Sequence, residues 1–138
     1  MKFKISSIVE SIINTVDLFH QGRIKQFYKE RIVDLVIDVG SHKGEFVNLI
    51  IDDKTPIYLF EPQASVRDQL IENTKHKNII KNFDIACLNF TGSTTFYLNN
   101  LTSTSSVLPP DMSSKWMMFK KLILGRLIKD VVKVNVAT

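Results

Sequence analysis

Val36-Ile37-Asp38-Val39-Gly40-Ser41-His42-Lys43-Gly44, followed at residues 57 to 62 by Ile-Tyr-Leu-Phe-Glu-Pro, is the stretch that decides the fold of this 138-residue chain. Leu35 to Val39 is a short β-branched run that stops at Gly40, the pattern of a strand buried on both faces of a parallel sheet. A helix is expected from about Gly44, turning Phe46, Leu49 and Ile50 towards that sheet. Pro56 opens the second strand, which ends at Glu61-Pro62, and a second helix fits Ala64 to about Thr74. Its apolar side carries Val66, Leu70 and Ile71, and its polar side Arg67, Asp68 and Glu72. Ile79-Ile80 and Phe83 to Leu88 come next, then a turn at Thr91-Gly92-Ser93 and a strand from Thr94 to Leu98. Strand, helix, strand, helix, strand is the opening of a doubly wound α/β sheet.

Upstream of this core, Ile5, Ile8, Val9, Ile12, Ile13 and Val16 recur at spacings of three and four, which predicts a leading helix over residues 4 to about 20. Its apolar stripe suits packing on the core or on another subunit, with attachment to a membrane surface as the alternative. The polar stretch from His20 to Arg31 leads into the first strand, so residues 1–31 form an N-terminal helical segment and 32–138 the main domain. Downstream, residues 99 to 114 are rich in Ser, Thr, Asn and Pro and read as a loop. Lys115 to Lys129 has helical periodicity, with Trp116, Phe119, Ile123 and Leu127 on one face and only positive charge elsewhere. The chain closes on Val131 to Val136, which alternates like a strand.

Composition narrows the function classes. With 44% hydrophobic residues the chain can form a core, yet no run approaches the roughly 18 apolar residues of a membrane span. Glu10 and Asp17 interrupt the apolar N-terminal stretch, which argues against a secretory signal. Eighteen Lys and Arg against fourteen Asp and Glu leave a net charge of +4, too little for a nucleic-acid-binding arm. Cys87 is the single cysteine, so neither an internal disulfide nor a multi-cysteine zinc site can form, and the expectation is a soluble, cytoplasmic protein without a metal. In its apolar run Cys87 reads as a core residue.

Asp38-Val39-Gly40-Ser41-His42-Lys43-Gly44 sits between a predicted strand and a predicted helix, where glycine lets the backbone turn and lets a ligand approach main-chain atoms. The dinucleotide pattern G-x-G-x-x-G, begun at Gly40, would need glycines at 42 and 45; the chain has His42 and Glu45. That pattern favours S-adenosylmethionine, which has no pyrophosphate, over NAD or FAD. Glu61, at the carboxyl end of the second strand and about twenty residues after the turn, is placed to accept hydrogen bonds from both ribose hydroxyls. Asp84 is a third candidate, reaching the adenine amine if the following strand ends there and lying on the surface otherwise. His42 reads either as a contact to the methionine moiety or the substrate, or as a turn residue in solvent.

The ordered set Val-Ile-Asp-Val-Gly-Ser-His-Lys-Gly-Glu-Phe, Tyr-Leu-Phe-Glu-Pro, Ile-Ala-Cys-Leu-Asn, Thr-Thr-Phe-Tyr and Ser-Thr-Ser-Ser-Val-Leu-Pro resembles the FkbM-type methyltransferases over about residues 33 to 110. The resemblance implies a Rossmann-like class I methyltransferase fold and O-methylation of a hydroxyl on a sugar or other natural product. It implies a cofactor set of Asp38, Gly40, Ser41, Gly44, Glu61 and Asp84, with the glycine turn on the methionine side, Glu61 at the ribose and Asp84 near adenine. The acceptor would be a small molecule or a glycan. Members of that family continue into a Leu-Asp segment and a Lys-x-Asp-x-Glu-Gly strand that this sequence does not carry, so the domain is expected to be partial, and no residue presents itself as the general base. Lys115 to Lys129 resembles an inserted basic helix: a lid, a subunit contact or a membrane-surface element. The alternative to an enzyme is a non-catalytic module of the same fold, serving protein or membrane-surface association through that helix.

Overall fold

A computed structural model describes residues 15–16, 21–28, 31–49, 52–100, 104–125 and 127–138. Thr15 and Val16 are helical, and the rest of the helix expected over residues 4 to 20 lies outside the described residues. The chain is a mixed α/β fold with small parallel and mixed sheets, compatible with a Rossmann-like fold. It divides into two units, one of residues 24–95 with 133–138 and the other of 1–23 with 96–132.

In the former unit, strands β1 (Val36–Val39), β2 (Ile57–Phe60) and β3 (Ile79–Phe83) form a parallel sheet in the order β1-β2-β3. Val36 lies opposite Ile57 and Asp38 opposite Leu59, so the carboxyl ends of β1 and β2 are level. Glu61 follows directly, its N–H donating 3.0 Å to the carbonyl of Phe83 at the end of β3. One face of the sheet is the core: Val36, Ile57 and Leu59 cluster with Val47 and with Leu70 of helix α2 (Ala64–Thr74). Burying each such side chain is worth about 1.5–3 kcal/mol, which is what holds the loops at the strand ends in place.

Several expectations need correction here. β1 is buried on one face only: Ile37 and Val39 point away from Leu70 and Val47 and are exposed, because β1 is the edge of its sheet and the helix covers only the Val36 side. After β1 there is no full helix from Gly44 but a turn and a single 3-10 turn at Val47–Leu49, residues 50 and 51 lying outside the described set. Val47, Asn48, Asp52 and Asp53 are poor helix formers, and the connection must close quickly onto Pro56. Val47, not Leu49, is its fully buried residue. On α2 the inward stripe is Val66, Leu70 and Thr74, at spacings of four, while Ile71 is half exposed. Thr74 fits because its hydroxyl donates back to the Leu70 carbonyl at 2.8 Å.

Residues 21–28, expected only as a polar lead-in, form a helix, which we label α1. Gln21, Ile24 and Tyr28, at spacings of three and four, are its half-buried residues, and the Tyr28 ring meets Phe46 edge-on at 5.6 Å. The Arg31 guanidinium stands 4.1 Å above the Phe27 ring.

Past Asp84 the chain leaves the first sheet. β4 (Ile85–Cys87) pairs in parallel with the end of β6 (Ile128–Ala137), in a second sheet of order β4-β6-β5 with β5 at Gly92–Asn99. Cys87 is exposed rather than in the core, since β4 is the edge strand there. In the unit of residues 96–132, Tyr97 and Ser106 form an antiparallel bridge. Helix α3 covers Lys115–Leu124, shorter than the expected 115–129, because Gly125 (φ 76°) closes it with an N–H bond to the Lys121 carbonyl and β6 then begins at Ile128. Among the described residues no helix is long and apolar enough to cross a membrane.

Candidate functional site

The carboxyl ends of β1 and β2 carry the predicted residues. Gly40 and Gly44 have φ of 80° and 82°, and His42 between them has φ of 47°, so the turn alternates through the left-handed region. The two glycines do different work. A Cβ on Gly44 would stand 2.6 Å from Thr74 Cγ2 and 3.2 Å from Leu70 Cδ1, so this glycine lets the turn lie against α2. A Cβ on Gly40 would meet nothing within 4 Å, leaving its backbone open to a ligand.

Ser41 is buried, and its hydroxyl donates to the Asp38 carbonyl at 2.8 Å while accepting the Phe60 N–H at 3.2 Å. Together with the bonds from the Gly40 and Ser41 N–H groups to the Phe60 carbonyl (2.9 and 3.1 Å), this ties the turn to the end of β2. The structure therefore gives Ser41 a binding role toward its own backbone.

Glu61 is the most deeply set acid at this edge, 2% exposed. Its Oε2 accepts the His42 N–H at 2.8 Å and its Oε1 the Gln63 N–H at 2.7 Å. A carboxylate has about four lone-pair sites, so two further donors can be accepted in the same plane. Asp38 lies alongside: its Oδ2 is buried without a hydrogen-bond partner in the structure. Burial is the main reason its carboxyl is held above the usual carboxylate range; the Ser41 hydroxyl opposes the shift, and the charges of Glu45 and Glu61 add to it.

Asp84 shares the strand-end edge but not the turn. It follows Phe83, is more than half exposed, and pairs with Arg67 of α2 at 3.2 Å. Asp38, Gly40, Gly44 and Glu61 are thus brought together, and Asp84 lies one strand away with its carboxylate engaged by Arg67. The His42 ring is not a free solvent side chain: its Nδ1 lies 2.9 Å from Glu45 Oε1. In the sequence Glu45 stands out only as the residue that breaks a dinucleotide pattern. Its other oxygen accepts the Lys43 N–H at 3.0 Å, so it closes the turn on itself. The signal for this was legible as an acid placed three residues after His42, ahead of a turn with unpaired N–H groups. Asn73 of α2 also donates to the Lys43 carbonyl, at 2.9 Å.

With three carboxylates around an open backbone turn, the edge suits a ligand carrying positive charge and hydroxyl donors and repels a pyrophosphate. The 3-10 turn after it is too short to supply a compensating helix N-terminus. Among the described residues no group of three or more His, Cys, Asp or Glu could hold a metal ion. Comparison with known protein families, with curated proteins and with solved structures returns no match for this chain.

Proposed function

We propose that this chain belongs to a Rossmann-like, S-adenosylmethionine-dependent methyltransferase of the FkbM type, acting on a hydroxyl of a sugar or natural product. The observation that carries the reading is the Glu61 carboxylate, fixed at the end of β2 by two backbone N–H groups and level with the open Gly40 turn. An acid in that position, with lone pairs to spare, suits a ribose diol. The surrounding Asp38, with an unpartnered buried oxygen, suits an ammonium group, and its neighbours Glu45 and Glu61 favour a cationic ligand.

When bound, the cofactor supplies an electrophilic methyl group. The chain's own part is alignment: Glu61 orients the ribose, Gly40 leaves room for main-chain approach, and Gly44 fixes the turn against α2. Asp84, paired with Arg67 through Oδ2 and more than half exposed, is the candidate for the adenine side. Calorimetric titration of the intact chain tests the proposal: S-adenosylmethionine binds and NAD does not, and Glu61→Gln weakens binding roughly tenfold or more, the scale of a lost charged hydrogen bond. No heat with S-adenosylmethionine overturns it.

A second reading, a non-catalytic association module, draws on α3. Met118 and Leu122 are exposed on that helix beside the exposed Lys115 and Lys121, a surface suited to protein or anionic-membrane contact. Cosedimentation with anionic vesicles that is lost on Lys115→Glu/Lys121→Glu, in a chain without cofactor affinity, favours this reading.

A further inference from the structure

We propose that Glu45 is a positioning residue for Glu61, acting through His42. Among the described residues His42 is the one non-glycine with positive φ, at 47°, a conformation disfavoured for an L side chain. Something local must hold it there, because the His42 N–H supplies one of the two bonds that fix the Glu61 carboxylate, at 2.8 Å. The Glu45 side chain is the element that spans the strained residue. One oxygen engages the His42 imidazole at 2.9 Å, the other accepts the next backbone N–H, from Lys43, at 3.0 Å. The two contacts grip His42 by its side chain and by the peptide that follows it, so rotation of His42 towards negative φ breaks both.

The arrangement also explains an asymmetry of exposure. The His42 side chain is 15% exposed, while that of Glu45 is 53% exposed: the acid reaches in from solvent to clamp a largely covered ring. No hydrogen bond joins Glu45 to Glu61; apart from its charge, which also acts on Asp38, its effect on a ligand is transmitted through the His42 N–H. The consequence for ligand affinity rests on the cofactor reading given above; the clamp on His42 does not.

Amide hydrogen exchange on the intact chain separates the two. Glu45→Ala should lower the protection of the His42 N–H about tenfold, the bias expected from a left-handed residue left unsupported, without lowering that of the Ile57 and Glu61 amides. The double variant Glu45→Ala/His42→Gly should recover it, because glycine adopts positive φ without help. Glu45→Gln, which keeps an acceptor oxygen for the Lys43 N–H, should lose less than Glu45→Ala. Unchanged His42 protection in Glu45→Ala, or no recovery in the double variant, overturns the proposal. These readouts need no ligand, so they decide the role of Glu45 even if S-adenosylmethionine fails to bind. Where it does bind, its Kd should rise about tenfold in Glu45→Ala and return in part in the double variant, which restores the turn but not the Glu45 charge; a Kd indifferent to both changes overturns the link to Glu61.

Discussion

The two ends of the β1-β2-β3 sheet are built on opposite principles. At the amino ends charged and polar groups are tied to complementary partners. Lys77 is ion-paired with Asp53, the Asn78 N–H donates to the Asp53 carbonyl at 3.1 Å, and the Asn78 side chain donates to the Lys54 carbonyl at 2.8 Å. The hydrogen bond from Lys77 holds the Asp53 carboxyl below the usual carboxylate range. At the carboxyl ends the backbone passes three times through positive φ, and Asp38 keeps a buried oxygen without a hydrogen-bond partner and a carboxyl raised by burial. One end relaxes the charged form of its acid and the other resists it. Strain and a disfavoured charge gathered on one edge, against ion pairing and hydrogen bonding at the other, are what single out the carboxyl edge as the candidate site.

The difference can be broken most severely at Gly44. Gly44→Ala adds a Cβ 2.6 Å from Thr74 in a left-handed position and should cost about 2–5 kcal/mol in denaturant unfolding, the sum of conformational strain and overpacking. Gly40→Ala carries the conformational part alone, about 1–2 kcal/mol, since nothing stands within 4 Å. Equal costs at the two glycines would mean that the turn does not rest on α2.

Glu61→Ala leaves the His42 and Gln63 N–H groups without their acceptor, and should lower stability by about 1–3 kcal/mol, read from the midpoint of urea unfolding. A neutral result would place the anchoring of the turn elsewhere.

The smallest effects sharpen the contrast through pH. Asp38 has a folded pKa above its ordinary value of 3.8, so its ionisation penalises the fold; the penalty is complete above the folded pKa and is relieved as pH falls towards and below 3.8. Asp38→Asn should therefore raise the Tm at neutral pH and change nothing at pH below 3.8. Asp53 is the mirror case: its folded pKa is depressed, so its contribution is present above 3.8 and is lost as pH falls through the folded value. Asp53→Asn should slightly lower the Tm at neutral pH, with the difference closing in acid. Slopes of the same sign for both variants would remove the distinction between the two ends.

The sequence by itself determined the strands at Val36–Val39 and Ile57–Phe60, the helix at Ala64–Thr74, and the placement of Gly40, Gly44 and Glu61 at one sheet edge. These follow from local rules: β-branched runs ended by Gly or Glu-Pro, an apolar stripe at helical spacing, and the short reach of a strand-turn connection. Tertiary structure decided what local rules do not contain. That Ile71 faces out and Thr74 in depends on which face of α2 packs against Val47, and that Cys87 is exposed depends on β4 being an edge. That Ser41 is spent on the Asp38 carbonyl and Asp84 on Arg67 depends on which polar groups lie within about 3 Å once the strands are level. The clamp of Glu45 on His42 mixes the two levels: its spacing is written in the sequence, but its purpose appears only when the His42 N–H meets a carboxylate nineteen residues away.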